Sequence, residues 1–433
     1  MKIIGIEQAL GLVKDNYKIS CADAATEPQL FLSNLHTIAH KVNNVSVWTC
    51  LSKRSYPFLE NKEYGNRFKV RSTYFSKPLR DAYELLDDVT YVPTHLRRLY
   101  IAILAGGAPD IFVGTCTPPD KNGKISLGLS CIYEREVIAA AKTVIMEINP
   151  NMPFTLGDVV MDASEVDYFI DSDLPLLEDV MPPVSEKDAA IGRYISDLIG
   201  DGDCLQIGIG SIPNAVVQNL DGKNDLGIHT ELLSDGIVEL AKKGVVTGKR
   251  KNIETGQMIT SIILGTKDLY RYCEGNPDVL VMKCAYTNAY ATMAAIDNQV
   301  SINTTLEVDL TGQCCSESIG TKQFSGTGGQ ADTAIGAQMA KGGKSFIALY
   351  STANVRTGQG GERTEISKIV PVLKPGATVS LSRNDLHYLA TEYGIVNVRG
   401  LGISERAKAI ISVSHPKFRD ELMFEAKKLG FIK

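Results

Sequence analysis

Gln206-Ile-Gly-Ile-Gly-Ser-Ile-Pro213, followed roughly twenty residues later by Gly227-Ile-His-Thr-Glu231-Leu-Leu-Ser-Asp-Gly236, decides the fold of this chain. The first segment reads as a buried strand that runs into glycines and then a helix. Backbone N–H groups at such a turn face a phosphate or a developing oxyanion. The second segment repeats the pattern but ends its strand in a glutamate. A glycine turn beside a carboxylate, at the C-terminal edge of parallel strands, is where a bound thioester or phosphate ester meets a nucleophile. A third glycine cluster, Ser325-Gly-Thr-Gly-Gly-Gln330, also follows an apolar segment. An open α/β sheet gathers loops of this kind at one edge.

Working outward, the 433 residues exceed what one core usually supports, so two domains are expected. Apolar residues make up 44% and charged residues 22%, and the net charge of −5 leaves no basic footprint for nucleic acid. There is no run of eighteen apolar residues, and Met1-Lys-Ile-Ile-Gly-Ile-Glu7 lacks the long apolar core of a signal peptide. No membrane partner is therefore expected, and the cytoplasm is the expected compartment. The nine cysteines are scattered without a C-x-x-C pair and read as reduced thiols. His36 and His40 would share a helix face, but with no third ligand they give no metal site.

Two α/β halves follow from the alternation of elements. Val45–Trp48, Ile111–Val113 and Thr143–Met146 read as strands of the first half, with a helix over Glu134–Lys142. The Pro- and acid-rich stretch from Leu174 to Glu186 marks the boundary, giving domains 1–183 and 184–433. The second half opens with a helix over Asp188–Leu198 and continues through strands at Cys204–Ile209, Val279–Met282, Ser345–Leu349 and Thr378–Leu381. Helices are expected over Gly236–Lys243, Ser404–Ile411 and Pro416–Leu429. The cleft between two such halves is a common location for ligands.

Glu231 has a plain structural reading, an acid favoured by the dipole in a helix's first turn. The three glycine loops around it are harder to explain by packing. Together with Ser76-Lys-Pro-Leu-Arg80, Thr117-Pro-Pro-Asp-Lys-Asn-Gly123, Ser126-Leu-Gly128, Ser382-Arg-Asn-Asp385, Thr391-Glu-Tyr-Gly394, Glu405-Arg-Ala407 and His415-Pro416, these motifs resemble the acetyl-CoA hydrolase/transferase family of CoA-transferases. The resemblance spans nearly the whole chain and is nearest to the butyryl-CoA:acetate and 4-hydroxybutyrate branch. It implies two open α/β domains of the CoA-transferase type with the active site in the interdomain cleft, assembled as a homodimer or higher homo-oligomer. Coenzyme A and acyl-CoA would be substrates, with no permanently bound cofactor. Glu231 would be the glutamate that becomes a glutamyl-CoA thioester. Gln206, Ile207, Gly208, Ile209 and Gly210, then Leu306, Gly329 and Lys344, would contact CoA, with the N–H groups of Gly208, Ile209 and Gly210 as oxyanion donors.

Butyrate, 4-hydroxybutyrate and propionate stay open as the acyl group, since one methylene is worth only about 1–3 kcal/mol of discrimination. Hydrolysis is the rival within the family, and a CoA-binding protein without chemistry is the rival outside catalysis. A dinucleotide-binding dehydrogenase is disfavoured, because Pro213 stands where the fingerprint wants its third glycine. Asp385, Glu392, Tyr393, Arg80, His95 and Glu27 are secondary candidates, and Ser234-Asp235 is expected to order the turn after Glu231. Gly248, in Val246-Thr-Gly-Lys249, reads as a surface turn.

Overall fold

The computed structural model describes residues 1–65, 67–357 and 362–433. Its first sheet has seven strands, all parallel. In spatial order they are Tyr168–Asp171, Val144–Ile148, Ile111–Cys116, Lys18–Cys21, Val45–Thr49, Phe68–Ser72 and Val89–Tyr91. A parallel sheet covered on both faces needs strands that are apolar throughout. Every residue of Ile111–Cys116 and of Val144–Ile148 is buried accordingly. The exception in composition, Glu147, is satisfied by the N–H groups of Leu30 and Phe31 at 3.1 and 2.7 Å.

The second sheet has six strands in the order Gly227–Ile228, Cys204–Ile207, Gln299–Thr304, Lys344–Ala348, Tyr388–Thr391 and Gly394–Asn397. All pairs are parallel except the last. The helices expected near Gly236 and Ser404 form as Asp235–Lys242 and Ile403–Ser412. One expected strand does not form. Residues 378–381 are irregular, with Leu381 joined to Cys314 by an isolated bridge, and Tyr388–Thr391 takes the place beside Lys344–Ala348. The strand at Val279–Val281 does form, but in a separate three-stranded parallel sheet with Met258–Thr260 and Leu156–Gly157.

Residues 172–185, between the two large sheets, contain neither helix nor strand. The halves nonetheless share a core. Phe112 and Met146 of the first sheet belong to one apolar cluster with Leu205, Ile207 and Ile302 of the second. No helix among the described residues is long and apolar enough to cross a membrane.

Candidate active site

The C-terminal ends of the second sheet's strands meet the loops of the first domain around a cavity of about 290 Å³. Gln206 to Ile209, Glu231, Leu306 and Ser325 to Gln330 line one side, and Cys50, Leu51, Tyr74, Leu96 and Ile132 line the other. The three glycine loops singled out in the sequence thus converge on Glu231.

Glu231 follows the strand Gly227–Ile228, and its backbone carbonyl is held by the N–H groups of Ser261 and Ile262 at 3.1 and 2.9 Å. Its side chain points into the cavity, where Asn288 Nδ2 donates to Oε2 at 2.7 Å. Burial pushes the carboxyl up to about 7; the Asn288 hydrogen bond opposes this and the negative charge of Asp332 adds to it. Although the residue keeps some solvent access, its carboxyl group is enclosed by Asn288 and the backbone of Gly329. A Cβ on residue 329 would overlap Glu231 Oε2.

The turn after Cys204–Ile207 divides its donors. Gly208 N–H donates to the Ile302 carbonyl at 3.0 Å, continuing the sheet ladder by one residue, so it is not an oxyanion donor. The N–H groups of Ile209 and Gly210 have no partner among the described residues, and neither has that of Gly329. Gly210 takes φ 122°, a conformation that favours glycine, and precedes the helix Ser211–Gln218. Leu306 lines the cavity, with its N–H given to Cys315 at 3.0 Å.

Lys344 is misplaced for the expected CoA contact. It opens its strand at the end away from the cavity, where it pairs with Asp203 at 2.9 Å and donates to the Leu198 carbonyl at 3.0 Å. Glu392 accepts from Ser351 and pairs with Lys187 at 3.1 Å, and Tyr393 packs edge-on against His415; neither lines the cavity. Asp235 accepts from Thr266 N–H at 3.1 Å and orders the turn after Glu231.

The glycine loop at 325–329 is fastened to the first domain. Phe75 N–H donates to the Ser325 carbonyl and Leu96 N–H to that of Gly328, both at 3.1 Å. The Arg80 guanidinium reaches the Phe324 carbonyl at 2.7 Å and lies 4.4 Å from its ring centroid, which gives that candidate a positioning task. Behind the loop, Arg97 is ion-paired with the buried Asp332, and His95 stands 3.9 Å from the same carboxylate. Asn288 and the first-domain wall were missed from sequence. Asn288 lies in Tyr286-Thr-Asn-Ala-Tyr290, which carries no motif chemistry, and the wall residues belong to four separate segments of the chain. All nine cysteines are buried and free, and Cys50 is the one that lines the cavity.

Residues 1–178 match the acetyl-CoA hydrolase/transferase N-terminal domain and residues 265–426 its C-terminal domain. The chain is 38% identical to the succinyl-CoA:cyclohexane-1-carboxylate CoA transferase of Geobacter metallireducens over 431 residues, covering 100% of this chain and 96% of that one. It is also 38% identical to the 4-hydroxybutyrate coenzyme A transferase of Clostridium kluyveri, covering 99% and 97%. The crystal structure of RipA from Yersinia pestis superposes with a TM-score of 0.91 at 34% identity, covering 100% of this chain and 98% of that one. With both domain models matched and full-length relatives at this identity, the chain belongs to the acetyl-CoA hydrolase/transferase family.

Proposed function

We propose that this chain moves CoA between a short-chain acyl-CoA (butyryl-, 4-hydroxybutyryl- or propionyl-CoA) and acetate, with Glu231 as the covalent carrier in a ping-pong cycle. The reading rests on one observation: among the described residues a single carboxylate, held by Asn288, lines the cavity beside Ile209 and Gly329, whose N–H groups have no partner there. The Glu231 carboxylate attacks the thioester carbonyl, and collapse of the tetrahedral adduct breaks the C–S bond, releasing CoA as thiolate and leaving an acyl-glutamyl anhydride. The thiolate then attacks the glutamyl carbonyl, the carboxylic acid's anion departs, and CoA stays on the enzyme as a thioester. An incoming carboxylate reverses both steps. Each attack places negative charge on a carbonyl oxygen, where the free N–H groups are the available donors; one such donor is worth on the order of 3 kcal/mol in the barrier. CoA is a substrate in this scheme, and the acyl groups exchanged are already activated, so the balance needs no other reagent.

The test is intact-mass measurement after incubation with acetyl-CoA and no acceptor. Expected is an adduct equal to CoA less one water, mapped to the peptide holding Glu231 and absent in Glu231→Ala. Turnover without any adduct, with initial-rate lines that intersect rather than run parallel, would replace the covalent cycle by direct transfer. Rapid thioester loss that acetate does not accelerate would make the chain a hydrolase.

A further inference from the structure

Facing Glu231, the first domain supplies a wall made of Cys50, Leu51, Tyr74, Leu96 and Ile132. Cys50 and Leu51 directly follow the strand Val45–Thr49, and Tyr74 follows Phe68–Ser72. Leu51 sits at φ 44°, which is unusual for a branched side chain and is held by burial of the residue. Apart from the Cys50 thiol and the Tyr74 hydroxyl, the wall's side chains are hydrocarbon. Burial raises both ionisations, so neither group carries charge near neutral pH.

No Lys, Arg or His lines the cavity among the described residues, and Glu231 is its one carboxyl side chain there. The remaining residues, Asn66 and Gly358-Gln-Gly-Gly361, include no cation in sequence. The nearby guanidinium groups are committed elsewhere. Arg80 serves the Phe75 and Phe324 carbonyls at 2.8 and 2.7 Å. Arg97 is paired with Asp332 and lies 4.0 Å from the Tyr290 ring centroid, and Arg54 donates to the Pro175 carbonyl at 3.2 Å. A second carboxylate on the acyl chain would leave water for a hydrocarbon wall with no counter-charge, close to another carboxylate. Both effects oppose binding. Family members are named for dicarboxylic as well as monocarboxylic acyl groups, so this choice is made in the individual chain.

We infer that the acyl subsite of this protein takes a short chain without a second charge, and that Cys50, Leu51, Tyr74, Leu96 and Ile132 exclude dicarboxylates such as succinate. The inference rests on CoA transfer at Glu231. Exchange of labelled acetate into acetyl-CoA reads that transfer independently of chain length, and kcat/KM for propionate, butyrate and succinate as acceptors from acetyl-CoA then reads the sorting. Succinate is expected to fall at least about a hundredfold below butyrate. Acetate exchange together with succinate within about tenfold of butyrate overturns the sorting alone. Absence of all exchange overturns the transfer and the sorting with it. Leu96→Lys places a cation in the wall and is expected to narrow the butyrate-to-succinate ratio by at least about tenfold. A folded Leu96→Lys protein with an unchanged ratio would mean that the wall does not touch the acyl chain; should the variant fail to fold, the wild-type acceptor series decides.

Discussion

Gly329 leaves the space that Glu231 Oε2 occupies: a methyl group on residue 329 would overlap both that oxygen and Asn288 Nδ2. The backbone at Gly329 is unremarkable, with φ −98°, so any residue could adopt it and only the space demands glycine. Gly329→Ala is expected to displace the carboxylate, and a shift of about 1 Å at a reacting atom costs on the order of a hundredfold in rate. The measurement is kcat beside thermal melting. An alanine protein with wild-type kcat would show that the carboxylate does not work from the position observed.

The Asn288 hydrogen bond favours ionised Glu231 against the burial that holds its carboxyl near 7. Attack requires the carboxylate, so kcat/KM for acyl-CoA is expected to rise with pH through an ionisation near that value. Asn288→Ala removes the opposing donor and should move this ionisation to higher pH, with the loss of rate greatest on the acid side. A pH profile identical to wild type would detach Asn288 from Glu231.

Donor geometry at the first glycine turn gives a third expectation. A side chain at residue 208 would press on the Ile302 carbonyl, 3.3 Å from its Cβ, and enter the cavity beside Ile209. Gly208→Val should therefore lower turnover and weaken CoA binding together. The comparison must not use Gly248, which takes φ 63° and packs against Gly256 instead of standing free. Gly222 has open space around it and is the appropriate control, with an effect of roughly 1 kcal/mol or less on stability. Unchanged CoA affinity and turnover in a folded Gly208→Val protein would make the turn structural only.

Lys344→Ala should leave KM for acetyl-CoA unchanged within about twofold, because the ammonium is spent on Asp203 and Leu198 at the far end of the strand. A tenfold rise in KM would return this lysine to the CoA site.

Stability should fall as pH rises from 6.5 to 8. Burial raises the carboxyls of Glu27 to about 8 and of Glu147 and Glu231 to about 7, from an ordinary value of 4.5. In this window the folded protein holds protons that the unfolded chain has already released, so each group's stabilising proton is lost as pH rises through its folded value. His387, lowered by burial to about 4 from 6.5, acts in the opposite sense but only below the window. Melting temperatures across pH 6.5 to 8 test this. Glu27→Gln should flatten the decline, and a wild-type melting temperature that climbs with pH would contradict it.

Glu231 and the Gln206–Gly210 turn were legible in the sequence because both follow strands of the parallel sheet, whose ends collect on one edge, whereas the 325–329 loop follows a short antiparallel hairpin and reaches the site through its bonds to the first domain. Lys344 was misread because Lys341-Gly-Gly-Lys344 does not tell which end of the next strand it occupies. Gly208 was misread for a related reason: sequence does not reveal how far a ladder runs into a glycine turn, and here it runs one residue further. Residues 378–381 had apolar content suited to a strand, yet only Leu381 reached the core while Val379 stayed exposed. Asn288 and the Cys50 to Ile132 wall were invisible because they meet Glu231 only through sheet order and domain docking, which no local pattern encodes.

The loop at 325–329 belongs to the second half by sequence and is hydrogen-bonded to the first by Phe75 and Leu96, with Arg80 holding the Phe324 carbonyl just before it. Glu231, by contrast, is carried by the second half itself. Gly329 itself heads the helix Gln330–Met339 of the second half, so the loop that shapes the seat of Glu231 straddles the two halves. Separating the domains would strain this loop between its hydrogen bonds to the first half and the helix that follows it in the second. The shape of the carboxylate's surroundings is thus sensitive to how the two halves are docked, although Glu231 and Gly329 both belong to the second.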